Sequence, residues 1–452
     1  MEFLKQAWHW FLGVPYLKDV VINLVAGFIG WLIGKYWGWI LRLHHRFKLK
    51  RLNKRTAKKY LESIIPFDTV SPCYEEGKAK MRLTNKRFVF EIPEDKRKEL
   101  ESQTNLDGTP KFSIHEPAKL DNNKALYDFL MKHYHTAFPN ELAVDNFLEK
   151  QISDTAQYFI DRLKQGKLAF NNKQIGVDKF IVDRKDNIQG GGAEKPTLDM
   201  YLYETDYFTA QVMVHIYQYL RQLDTQYEKT DKQYVSPFNQ IKPDNQLLNN
   251  EMKHFMSSVG VGGYLVFDKG NGLEYLTVTR SDSVRNGSDK NIELRSYSFD
   301  ETMDLRDCTE NIKGNVTIDV YEGANRALQE ELGLFKKEDN KVKGHVSDFH
   351  LTGLILIRTK DEDPAKSRFE MQLLGYTYLY FDENFTYDDF FEKKMKAQDA
   401  AFEAVNIFCN PIGKKLVGTV RKKYTHTPES VYYADILRNI EDMEELSQYY
   451  LR

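Results

Sequence analysis

Cysteine is scarce: the 452 residues hold three, Cys73, Cys308 and Cys409, far apart and odd in number. No disulfide framework or paired-cysteine metal knuckle can be built from them, which suits a reducing compartment. Acidic residues are missing from one stretch, because 42–59 carries Arg42, Arg46, Lys48, Lys50, Arg51, Lys54, Arg55, Lys58 and Lys59 with no Asp or Glu. Taking those nine from the 64 Lys and Arg leaves 55 against 66 Asp and Glu, so a net charge of −2 conceals an acidic remainder. Such a body lacks the basic face that duplex nucleic acid requires, and no duplex partner is expected. A phosphate loop is missing too. Gly190, Gly191 and Gly192 are followed by Lys195 and Pro196 rather than by Gly-Lys-Ser/Thr, the pattern of a flexible connector.

One long hydrophobic run is present. Residues 20–41 are 22 positions whose strongly polar members are Asn23 and Lys35. At 1.5 Å per residue a helix of this length spans the roughly 30 Å hydrocarbon core of a bilayer. Trp31, Tyr36, Trp37 and Trp39 lie toward its C-terminal half, as an interfacial aromatic belt does, and Lys35 can snorkel to that interface. With little basic charge before the run and no small-x-small cleavage signal after it, a membrane anchor is expected rather than a signal peptide. Ahead of it, Phe3, Leu4, Ala7, Trp8, Phe11 and Leu12 share one helical face within 1–14, the pattern of an interfacial amphipathic helix. Inside the span, Ala26, Gly30, Gly34 and Gly38 recur at every fourth position. Small residues let helix backbones approach closely in lipid, so this ladder is read as a self-association face and a homo-oligomer is expected. The basic juxtamembrane segment 42–59 stays on the cytoplasmic side, which orients a single-pass protein with its C-terminal body in the cytoplasm.

The body divides at about residue 250. Segment 60–250 is expected to be mixed and mainly helical, with strands within 78–92 and helices at 124–134 and 141–164. His133 and His135, two positions apart, point to different helical faces and do not share a metal. The aromatic run 198–220 is expected to pack on the following domain rather than to stack on bases. Segment 257–412 has an α/β pattern. Strands are expected at 259–267 and 275–279 around the turn Lys269-Gly270-Asn271-Gly272, and at 351–357 and 371–381. A polar insertion covers 281–311, a helix 389–408, and a helical tail 413–452.

The stretch 320–334 carries the most specific signal. Val320, Ala324, Ala327, Leu328 and Leu334 form one face of a helix stopped by Gly333, with Glu330 and Glu331 off that face and Arg326 one turn earlier. By itself this is also what an ordinary amphipathic helix with an i, i+4 ion pair looks like. Arg326, Leu328, Glu330, Glu331, Gly333 and Leu334 match the second half of a Nudix box, R-E-U-x-E-E-x-G-U with U aliphatic, and the chain resembles that family. Ala327 stands where the family has its first metal-binding glutamate, and Ile312 and Ile318 stand where the upstream half has Gly and Glu. The resemblance is thus to a degenerate Nudix domain and implies an α/β/α sandwich over 257–412. It also implies a vestigial Mg²⁺ site at Glu330, Glu331 and the displaced Glu322. With Ala327 in a ligand position no cofactor is expected, Mg²⁺ belonging only to the alternative of a membrane-tethered Mg²⁺-dependent hydrolase of nucleoside diphosphate derivatives. Arg280, Arg285, Arg326 and Arg358 are candidates for charge-assisted contacts with a phosphate-rich ligand.

The anchor and the degenerate box together resemble the transmembrane-Nudix effectors of bacterial cyclic-oligonucleotide anti-phage signalling, CBASS. That resemblance implies a cyclic nucleotide second messenger as ligand, a place in the bacterial inner membrane, and ligand-driven oligomerisation that breaches it.

Overall fold

The computed structural model describes Glu2, 64–69, 79–105, 107–167, 169–183, 197–242, 246–268, 272–279, 294–310, 316–335, 345–359, 367–382, 385–397, 405–412, 425–426, 430, 432–434 and 437. Apart from Glu2, all of these lie in Lys59–Arg452, the second of the two units into which the chain divides. The expected interfacial helix 1–14, the span 20–41 with Ala26, Gly30, Gly34 and Gly38, the basic segment 42–59, and Arg280 and Arg285 fall outside them. Among the described residues no helix is long and apolar enough to cross a membrane.

The fold is mixed α/β. Its strands are β1 (Ile64–Thr69), β2 (Ala79–Arg87), β3 (Lys173–Asp183), β4 (Thr197–Asp206), β5 (Val259–Asp268), β6 (Leu273–Thr279), β7 (Leu294–Ser296), β8 (Phe299–Thr302), β9 (Cys308–Glu310), β10 (Val316–Ile318), β11 (His350–Arg358), β12 (Phe369–Tyr378), β13 (Asn406–Pro411) and β14 (Thr425–His426). Its α-helices are α1 (Glu94–Glu101), α2 (Lys124–His133), α3 (Glu141–Lys164), α4 (Tyr207–Thr230), α5 (Gln246–Glu251), α6 (Val320–Leu332) and α7 (Tyr387–Lys396).

A nine-stranded sheet runs in the order β1-β11-β12-β5-β6-β7-β14, with β13 also on β6 and β8 also on β5. Its centre is made by β11 and β12, whose residues are buried almost without interruption. Continuous aliphatic runs of this kind form strands covered on both faces. One face contributes Val261, Leu265, Leu354 and Leu356 to the large core that also holds Ala324, Ala327 and Leu328 of α6. The other contributes Tyr264, Tyr275, Ile355, Leu374 and Tyr376 to a second core with Tyr433 and Leu437. The alternation of side chains along each strand sends neighbours to opposite layers. Close strand approach requires glycine at one point, because a Cβ on Gly263 would come within 2.4 Å of the Gly375 carbonyl.

A five-stranded sheet runs β3-β4-β2-β10-β9. Segment 60–250 therefore contributes four strands as well as helices, and it shares both sheets with the later residues, β1 pairing with β11 and β2 with β10. The two long helices obey their sequence signals, each opened by a side-chain cap, Asn140 for α3 and Asp206 for α4.

The tail expected to be helical over 413–452 carries strand β14 against β7, with helix at 430, 432–434 and 437 among its described residues. The helix expected over 389–408 is α7, which ends at Lys396, and Asn406–Pro411 is strand β13 against β6. Phe390 is buried, but Met395 is 74% exposed. The apolar spacing there was fortuitous, and the tertiary demand of the β6 edge for a partner decides the outcome.

His254 and His350 are held neutral by burial, their pKa values lowered from 6.5 to about 3 and about 4. An unfolded chain protonates both near 6.5, so between these values it binds more protons than the folded one, and stability falls as pH is lowered through that window. The unfolding midpoint should drop between pH 7 and pH 4.5, each histidine accounting for on the order of 2 kcal/mol by pH 5. A flat profile from thermal scans over that range would contradict the buried neutral state.

Candidate functional site

Helix α6 is set by local signals at both ends. Asp319 caps it by accepting from the Tyr321 amide at 2.8 Å, and Gly333 closes it in the left-handed region at φ 68°. Val320, Ala324, Ala327, Leu328 and Leu334 are all buried, as the helical stripe predicts. Ala327 is thus part of the hydrophobic core.

Arg326 points into a knot of carboxylates. Its Nη2 and Nε donate to Asp307 at 3.0 Å each, and Nη2 also donates to the Thr302 carbonyl at 2.8 Å. Glu301 lies 3.6 Å away, Glu330 3.6 Å and Asp304 3.9 Å. The side chains are 12% exposed for Arg326 and 2% for Asp307. Burial pulls the guanidinium pKa down, but the hydrogen bond to Asp307 and the charges of Glu301, Asp307 and Asp304 outweigh it, and the pKa is raised. A capping box assembles the acidic side: Asp304 opens the Leu305–Asp307 turn and Asp307 bonds back to the Asp304 amide at 3.0 Å. Arg306 completes the knot, reaching Asp304 at 2.7 Å and Glu330 at 3.2 Å.

The other carboxylates of the helix part ways. Glu331 is 1% exposed and accepts from the Asp300 amide at 2.9 Å, tying α6 to β8. Glu322, in the first turn, is exposed. Among the described residues no group of three or more His, Cys, Asp or Glu is disposed to hold a metal ion. The donor set suits a divalent cation poorly, because Glu330 faces two guanidinium groups, Glu331 faces a backbone amide, and position 327 offers a methyl group. Arg358 lies apart from the knot beside Tyr217 and Arg221, donating to the Phe238 carbonyl, with its pKa lowered by burial.

Glu301, Asp304, Arg306 and Asp307 were not singled out from the sequence, where they fall within a polar insertion. The visible signal was Asp304-Leu305-Arg306-Asp307, an acid at both ends of a one-turn cap.

A cavity of about 440 Å³ opens beside α2 and the end of α5, lined by Asp121, Lys124, Asp128, Phe129, Lys132 and Glu251 among others. Its charges pair off, Lys124 with Asp128 at 3.2 Å and Lys132 with Glu251 at 2.7 Å. Asp121, Asn122 and Asn123 beside it are left-handed, at φ 46°, 50° and 61°, and Lys253 pairs with Asp121.

No protein-family model matches the chain, and no curated protein matches it. Several solved structures resemble part of it. The NUDIX domain of Shewanella oneidensis NrtR, complexed with ADP ribose, is 12% identical over 42% of this chain and 87% of its own, at a TM-score of 0.24. A mutT/nudix family protein from Listeria innocua is 14% identical over 43% of this chain and 96% of its own, at 0.25. The Ap4A hydrolase of C. elegans is 10% identical over 40% of this chain and 93% of its own, at 0.21. Likeness at this level does not by itself establish a shared fold.

Removing one partner of a buried ion pair leaves the other charge uncompensated. Arg326→Ala should therefore cost about 3–5 kcal/mol of stability, whereas Glu322→Ala should stay within about 0.5 kcal/mol. Shifts in the urea midpoint check both, and equal shifts would deny the knot its structural role.

Proposed function

We propose that this chain is a membrane-anchored effector of CBASS: its cytoplasmic, degenerate Nudix-like part binds a cyclic nucleotide messenger, and binding drives self-association that disrupts the bacterial inner membrane. The observation that carries the binding half is the engagement of α6. Glu330 is committed to Arg306 and Arg326, Glu331 to the Asp300 amide, and Ala327 to the core. A helix used in this way is a structural brace rather than a holder of metal ions, which favours binding without hydrolysis. Support for the membrane half comes from sequence, the 20–41 run with its ladder of Ala26, Gly30, Gly34 and Gly38.

The steps follow from differential affinity. A ligand that binds the assembled state better than the free chain shifts the equilibrium toward assembly by that difference and no more. Assembly of the cytoplasmic bodies concentrates the spans, and the small-residue faces then give the helices a close-packed arrangement. Arg280, Arg285 and Arg358 remain candidates for the messenger's phosphates, while Arg326 acts through the knot.

The second reading is a membrane-tethered Mg²⁺-dependent hydrolase acting through Glu322, Glu330 and Glu331, and it is favoured by the exposure of Glu322 on the same helix. Full-length protein in detergent, screened with linear and cyclic nucleotides by thermal shift, separates the two. The effector predicts a cyclic nucleotide that raises the melting temperature without being consumed. Mg²⁺-dependent turnover at about 1 per second or faster, abolished by Glu330→Gln, would replace it with the hydrolase. For the membrane step, the double change Gly30→Leu, Gly34→Leu should abolish ligand-dependent leakage of liposomes while leaving ligand binding intact. Undiminished leakage would take the ladder out of the mechanism.

A further inference from the structure

The sheet face opposite α6 holds an aromatic slot with an occupant from the chain's own C-terminal region. Tyr264 of β5 forms its floor. Tyr275 of β6 stands edge-on to that ring at 4.6 Å and 66°, and Tyr297, just after β7, at 5.6 Å and 83°. Tyr433 lies over Tyr264, the planes only 2° apart and the centroids 5.4 Å apart, with Tyr297 edge-on to it at 6.2 Å. Tyr264, Tyr297 and Tyr433 are fully buried.

The occupant is pinned by polar contacts as well as by stacking. Thr352 Oγ1 lies 3.0 Å from the Leu374 carbonyl and 2.9 Å from the Tyr433 hydroxyl. A threonine has one hydroxyl hydrogen, so when it serves Leu374 the Tyr433 hydroxyl donates to Thr352. Tyr264 donates to the Ser430 carbonyl at 2.7 Å, holding the same helical stretch. Next to the slot the backbone is bare, at Gly260 and Gly262, and a Cβ on Gly262 would meet the Tyr297 ring at 2.8 Å. Gln372 spans this floor, accepting from Tyr297 at 3.2 Å and donating to Asp300 at 2.8 Å.

A parallel ring between a floor and an edge-on wall, rimmed by a hydroxyl, an amide and a carboxylate, is how a protein holds a flat nitrogenous base: faces stack and edges hydrogen-bond. We propose that this slot is a nucleobase site, that Tyr433 fills it as an internal stand-in, and that the base of an incoming nucleotide displaces Tyr433 and releases Ser430 from Tyr264. The ligand class rests on the function proposed above; the slot and its occupant rest on geometry alone. Self-occupancy lowers apparent affinity by the fraction of molecules in which the slot is open.

The test uses the full chain in detergent, with adenosine and guanosine 5′-monophosphates titrated calorimetrically. Tyr433→Ala should bind at least one of them tenfold or more tightly than the wild type, and adding Tyr264→Leu should return that affinity to wild-type level or below. Thr352→Val, which keeps the ring but removes its clasp, should bind two- to fivefold more tightly, and Tyr433→Phe should do the same. Equal affinities in wild type and a folded Tyr433→Ala overturn the proposal. Where Tyr433→Ala does not fold, unchanged affinity in both Thr352→Val and Tyr433→Phe overturns it. The two ideas fail separately: cyclic nucleotide binding by the wild type with no effect of these changes leaves the messenger and removes the slot, whereas monophosphate binding confined to the opened variants, with no cyclic nucleotide bound by any, does the reverse.

Discussion

The buried charge of Arg326 is the constraint around which the C-terminal architecture is arranged. A guanidinium with one eighth of its side chain exposed requires compensation, and no single carboxylate provides enough. Asp307 supplies the bidentate contact, which fixes the Leu305–Asp307 turn against α6, and Glu301 and Asp304 bring the end of β8 to the same point. Through Glu331 the helix is then bonded to the start of β8, so α6 is tied to the sheet by charge and hydrogen bonding on one side and by Ala324, Ala327 and Leu328 on the other. Displacement of any one of these elements would leave a desolvated charge behind.

That arrangement explains how one stretch can look like an active site in sequence and like a brace in structure. Spacing reports which residues share a helical face, and Arg326 and Glu330 are indeed an i, i+4 pair. It does not report what arrives from elsewhere. Asp304 and Asp307 come from some twenty positions upstream to hold Arg326, Arg306 joins it on Glu330, and the Asp300 amide takes Glu331.

The same distinction runs through the fold. Helix α6 was legible nearly to the residue, because its cap, stripe and terminal glycine are local. Strands β5, β6, β11 and β12 were legible from their aliphatic and aromatic runs. What could not be read was pairing. Nothing near Ile64 announces that it belongs beside Ile357, and nothing in Asn406–Pro411 says that β6 lacks a neighbour. A boundary at about 250, natural from composition, is crossed by hydrogen bonds in both sheets for that reason. The tyrosine slot was equally hidden, since its four rings are scattered from Tyr264 to Tyr433.

The pairing of β1 with β11 also sets the order in which the protein can be made. A ribosome delivers Ile64 long before Ile357, and until then β1 has no strand to join. β2 finds β4 within the first half, but its other edge waits for β10. Nascent chains carrying the first half must therefore remain incomplete, with unpaired strand edges, while the rest is synthesised. Closure across so many residues is slow by its topology, and through that interval the unpaired edges stay open to pairing with those of neighbouring chains.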